Sequence, residues 1–232
     1  MAARFSVPVV SPRMYTINDF IYKAAGARAT GRIPLLLELY SCYRALNPHA
    51  EPLDEFIFWG DTLLADFDDV DKYLVNPDHL FANIDEFKSM QGDWSWLTPT
   101  QQEAMKRFTG HFLSPGRVKD NFLNIWRILL PLYRSFNGAL DSRQMWYEGK
   151  VYRALAGRLG TEPVADVMAE RFRESGKFVF VGLNALNECE KQLLRRLRNA
   201  GLAEFCWDWR SELIKDRDNK SSSFLAEFTV EF

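Results

Sequence analysis

Asp66-Phe-Asp68-Asp69-Val-Asp71 is the most acidic stretch of the chain. Carboxylates packed that closely are the groups that ligate a divalent cation for phosphodiester chemistry. The neighbouring pattern opposes that use. Phe56, Leu63, Phe67, Val70 and Leu74 recur at the spacing of one helix face, so the aspartates ride on an amphipathic helix. On such a helix Asp66, Asp68 and Asp69 project in different directions while Phe67 and Val70 face inward. Lys72 follows Asp68 by four residues and Asp69 by three, and either spacing permits a surface ion pair. The expectation is a solvated acidic face; a metal-dependent nuclease using Asp66, Asp68, Asp69 and Asp71 ranks last.

The second candidate lies nearer the C-terminus. Lys177-Phe-Val-Phe-Val181 is β-prone and ends at Gly182, and Asn187-Glu-Cys-Glu190 has the form of a capping box opening a helix to about Ala200. Gly201 stops that helix, and Phe205-Cys-Trp207 reads as a second strand. A strand, a helix and a strand in this order predict two parallel strands in one sheet. Nucleotide hydrolases hold magnesium with a carboxylate just past such a strand. Here the tip reads Val181-Gly182-Leu183-Asn184, and no G-x-x-x-x-G-K-[ST] phosphate loop occurs in the chain. ATP hydrolysis by these residues alone is not expected, and neither a cofactor nor a catalytic residue is assigned.

Lys191, Arg195 and Arg198 recur at i, i+4 and i+7, a basic stripe opposite Leu193, Leu194 and Leu197. It can meet phosphates, or it is an ordinary solvent-facing helix side. Glu188 and Glu190 fall where the helix dipole stabilises negative charge. Trp126-Arg127 and Tyr133-Arg134 could stack on bases, although helix packing accounts for them better. His49, His79 and His111 are isolated, and Cys42, Cys189 and Cys206 lack metal-ligand or disulfide spacing, as in a reducing cytoplasm.

The elements that must position these residues are mostly helical. Thr16-Ile-Asn-Asp19 and Thr98-Pro99 are N-terminal signals. Further helices are expected at 33–46, 78–89, 100–112, 145–159 and 162–173, and a long one from about Val118 to Leu140 that Pro131 should kink. Val7 to Val10 offers a third strand. The predicted fold is mostly α with a small parallel β-sheet: residues 1–30 begin an α/β core, 31–175 form a helical insertion, and 176–232 return to the core by the β-α-β unit. With 29 basic and 31 acidic residues the charge nearly cancels, so a nucleic-acid surface would have to be a local patch. Neither a signal peptide nor a membrane-spanning apolar run is read, which makes cytoplasmic residence the expectation.

Pro12-Arg-Met-Tyr-Thr-Ile-Asn-Asp-Phe20, the stretch from Phe58-Trp-Gly-Asp61 through Asp71-Lys-Tyr-Leu74, Tyr147-Glu-Gly149 and Phe180-Val-Gly-Leu-Asn-Ala-Leu-Asn187 together carry a resemblance. In them the chain resembles the N-terminal, inactivated helicase-like region of AddB-type proteins, notably the PD-(D/E)XK nuclease family proteins of Bacteroidetes. The likeness extends along nearly the whole chain, though none of its motifs is a catalytic signature. It implies pieces of a superfamily 1 helicase domain 1A carrying a 1B-like helical insertion. The implied parent acts in double-strand-break repair and recombination, with a C-terminal nuclease and an AddA-like helicase partner, on single-stranded DNA or a duplex end. Thr16 would then stand in an early single-strand-contacting motif, and Val181, Gly182 and Asn184 at a degenerate magnesium motif. The acidic helix would be a family signature of the insertion. The chain is accordingly expected to be a segment of a longer protein, non-hydrolysing and DNA-binding; a helical protein-interaction scaffold is the alternative.

Overall fold

The structure is a computed structural model that describes residues 12–81, 117–173, 176–183 and 185–207, with backbone alone at 117–126. The fold is mostly helical with a small parallel sheet, in the order α1 (Ile17–Ala25), α2 (Arg32–Leu46), α3 (Leu53–Lys72), α4 (Arg117–Arg143), α5 (Glu148–Thr161), α6 (Val164–Arg171), β1 (Phe178–Val181), α7 (Glu188–Asn199) and β2 (Ala203–Cys206). The chain divides into two compact units, one of residues 29–150 and one of residues 1–28 with 151–232. Among the described residues no helix is long and apolar enough to cross a membrane.

In the unit of residues 29–150, α2 packs against both α3 and α4. The α3 face read from the sequence is the buried one: Phe56, Leu63, Phe67 and Val70 enter a core with Leu39 and Tyr43 of α2 and Leu129, Leu132, Phe136 and Leu140 of α4. Pro131 lies inside α4. Aromatic rings fill much of this core, with Phe56, Tyr43 and Trp59 in mutual contact at 4.7 to 5.2 Å between centroids. α3 begins at Leu53, three residues earlier than its apolar period, because Pro52 supplies the start and Asp54 and Glu55 complement the dipole. It ends at Lys72, and Leu74 lies beyond it with φ 54°.

In the other unit, the Thr16 hydroxyl accepts from the Asp19 amide at the start of α1, and the Asn187–Glu190 capping box opens α7 as its residues predict. β1 and β2 pair in parallel, Phe178 beside Ala203 through Val181 beside Cys206. Phe178 and Phe180 sit on one face of this sheet, where Phe20 of α1 meets them at 5.2 and 5.4 Å. Leu193, Leu194 and Leu197 of α7 are buried, and α7 packs on β2.

Two boundaries move from expectation for visible reasons. α5 starts at Glu148 rather than near 145, because Trp146 exchanges hydrogen bonds with Thr30: its N–H donates to Oγ1 at 3.0 Å and its carbonyl accepts from the Thr30 amide at 2.7 Å. β2 starts at Ala203 rather than Phe205, since Gly201 takes φ 69° and reverses the chain at once, releasing the next residues into extended backbone. The proposed strand at Val7–Val10, the Thr98-Pro99 helix start and the helix at 100–112 lie outside the described residues; of 78–89 only the stretch to residue 81 is described.

Candidate nucleic-acid interface and the acidic helix

The basic stripe is built on α7 as its spacing predicts. Leu193, Leu194 and Leu197 are buried, Lys191 and Arg195 are half-buried and Arg198 is exposed. Glu188 lies seven residues before Arg195, two helical turns away, and accepts from its guanidinium at 3.0 Å. Arg195 is therefore paired within its own helix. At the tip of β1, Val181 is exposed, and Gly182 takes φ 69° while its amide donates to the Cys206 carbonyl at 3.1 Å. That hydrogen bond extends the parallel ladder one residue past the strand. Asn184 lies outside the described residues. The Thr16 hydroxyl is engaged as the α1 cap and donates to the Asp19 carboxylate at 2.9 Å. Thr16 is exposed.

The acidic helix behaves differently from the solvated face expected of it: its aspartates divide into two sets. Asp68 and Asp71 turn toward Tyr147-Glu-Gly149. Asp71 is 1% exposed and takes the Tyr133 hydroxyl at 2.5 Å and the Tyr147 hydroxyl on its other oxygen. Lys72 bridges Asp68 at 2.8 Å and Glu148 at 2.5 Å. Burial works against the Lys72 charge, and the two carboxylates outweigh it, so its pKa is raised. The Gly149 amide donates to Asp68 Oδ1 at 2.5 Å.

Gly149 is required by the closeness of that approach. A Cβ there would run into the Asp68 carbonyl oxygen and stand 3.0 Å from the Asp68 Cα, both backbone atoms of α3. Each residue of Tyr147-Glu-Gly149 thus has its own counterpart: the tyrosine for Asp71, the glutamate for Lys72, and the glycine for Asp68. Burial first, then the Asp71 charge, raises the Tyr147 pKa far above that of a free phenol, which keeps the hydroxyl a donor. Sequence reasoning anticipated the Lys72–Asp68 pair and missed the clasp. The available signal was that Asp68, Asp71 and Lys72 share a stripe at i, i+3 and i+4.

Asp66 and Asp69 lie on the other side of α3, exposed, along a hollow of about 720 Å³. Apolar residues dominate its wall, among them Phe58, Leu63, Tyr73, Leu80 and Leu129. Partial burial and then the neighbouring Asp69 charge push the Asp66 pKa up. Among the described residues no three histidine, cysteine, aspartate or glutamate side chains gather in an arrangement that could hold a metal ion. Comparison with family models, with curated proteins and with solved structures finds no match.

Proposed function

We propose that the chain is a non-hydrolysing, helicase-like segment that positions DNA through backbone contacts in an AddB-type protein of double-strand-break repair. The observation that carries this reading is the basic side of α7, set in a parallel β1–α7–β2 unit whose first strand ends in Val181 and Gly182 where an ATPase needs a carboxylate. In this reading β1, α7 and β2 are pieces of a superfamily 1 domain 1A, and the helices within residues 31–175 belong to the 1B-like insertion. Lys191, Arg195 and Arg198 meet phosphates, which fixes the position of DNA without reading its sequence. An AddA-like helicase partner and a nuclease elsewhere in the parent protein supply hydrolysis and cleavage.

A gel shift with single-stranded and forked DNA across a salt series tests this. Binding should weaken as salt rises, and reversing the charge of Lys191, Arg195 and Arg198 together should abolish it. No binding at about 50 mM salt, where phosphate contacts are strong, overturns the proposal. The second reading, a protein-interaction scaffold, draws on the apolar hollow beside α3.

A further inference from the structure

The hollow beside α3 combines a mostly apolar wall with two carboxylates, Asp66 and Asp69. Its α3 wall runs from Phe58 to Tyr73, which at the helical rise is about 22 Å, the length of roughly four helical turns. Phe58 is 84% exposed and Tyr73 is 55% exposed, so large apolar surface faces outward at both ends of that wall. Between them stand Asp66 and Asp69, three residues apart on the groove side. No described residue forms an ion pair with either, in contrast to Asp68 and its lysine on the opposite side. Like charges at that spacing repel, and the Asp66 pKa is raised by burial first and then by the Asp69 charge. A cation brought between them would relieve the repulsion.

We propose that this groove docks an amphipathic helix of a partner protein, one with an apolar stripe about four turns long flanked by lysine or arginine that meets Asp66 and Asp69. Length and an apolar wall fit a helix laid in a groove, read by anchors at i, i+3 or i+4 and i+7. The two unneutralised carboxylates select a basic flank over an acidic one, because electrostatic complementarity discriminates between partners of otherwise similar shape.

The test uses the whole chain and a designed, fluorescently labelled peptide of about 16 residues, roughly 24 Å of helix, with a leucine stripe flanked by two lysines. The same peptide with glutamates for the lysines, and a scrambled sequence of equal composition, are the controls. Anisotropy should show saturable binding of the basic peptide, at least about tenfold weaker for its acidic counterpart, a difference that tenfold salt dilution enlarges. Asp66→Asn with Asp69→Asn should erase most of the preference, and Thr62→Trp, which crowds the groove from its wall, should weaken both peptides.

Equal binding of basic, acidic and scrambled peptides, or no saturable binding, overturns the proposal. So does concentration-dependent self-association of the unaltered chain in sedimentation that Thr62→Trp abolishes, since the occupant would then be a second copy. The peptide comparison is made on the unaltered chain, so it decides the matter even where a variant fails to fold. DNA binding through α7 is measured on the same samples and is expected to be unchanged by Asp66→Asn and Asp69→Asn.

Discussion

Asp71→Ala removes the buried carboxylate that joins α3 to Tyr133 of α4 and Tyr147 ahead of α5. Hydrogen bonds to a charged partner contribute about 1.5 to 3 kcal/mol each, so the two together are worth roughly 3 to 6 kcal/mol. Those contributions already include desolvation, and a tyrosine hydroxyl that keeps or finds another partner recovers part of the loss, on the order of 1 to 2 kcal/mol. Tyr147 also retains Asn137, whose amide lies 3.2 Å from its hydroxyl. The expected net loss is about 2 to 4 kcal/mol, a fall of roughly 1 to 2 M in the urea midpoint at ordinary slopes. Near-ultraviolet circular dichroism follows the aromatic core through the transition, and Tyr147→Phe, alone and combined with Asp71→Ala, completes a double-mutant cycle. The two substitutions should be coupled by more than about 1 kcal/mol, since they share one contact. A loss below about 1 kcal/mol for Asp71→Ala, or additivity within about 0.5 kcal/mol, would refute the clasp as a stabilising device.

Gly149→Ala should cost about 2 kcal/mol or more in the same urea measurement, because the added methyl meets fixed backbone; Gly157→Ala, whose Cβ meets nothing within 4 Å, serves as the benign comparison. Lys72→Met should lose about 1 to 2 kcal/mol, leaving Asp68 and Glu148 facing each other without their shared cation. For Tyr43 burial, followed by its hydrogen bond to Glu51, raises the pKa from 10.0 to about 12. The folded state therefore holds that proton where the unfolded chain has released it, so this stability is present below pH 10.0 and is lost as pH rises toward about 12. Alkaline melting curves should show the loss, to which the buried Tyr147 also contributes, and Tyr43→Phe should reduce it. Glu188→Gln removes the Glu188–Arg195 ion pair and should tighten DNA binding about 2- to 5-fold with a steeper salt dependence; unchanged affinity would remove Arg195 from the interface.

What was legible in the sequence followed from periodicity and capping. The α3 stripe, the α4 residues Leu129 to Leu140, the Asn187–Glu190 box and the parallel pairing of β1 with β2 are each consequences of local spacing, and each stands in the structure. The clasp was not legible, because its two halves are 76 residues apart at Asp71 and Tyr147 and no local rule couples them. Acidic residues around Phe67 suggested solvent, yet Asp71 occupies an inward position with Val70 because two tyrosine hydroxyls satisfy it. The basic stripe was legible as a face of α7, whereas the Glu188–Arg195 bridge within it depends on rotamers that spacing does not dictate.

The clasp also fixes how the chain between its halves can evolve. Asp68, Asp71 and Lys72 on one side and Tyr147, Glu148 and Gly149 on the other meet through their own contacts, so the chain is closed on itself at these two points. Closure entropy grows only with the logarithm of loop length, and doubling the loop costs about 0.6 kcal/mol, less than one charged hydrogen bond of the clasp.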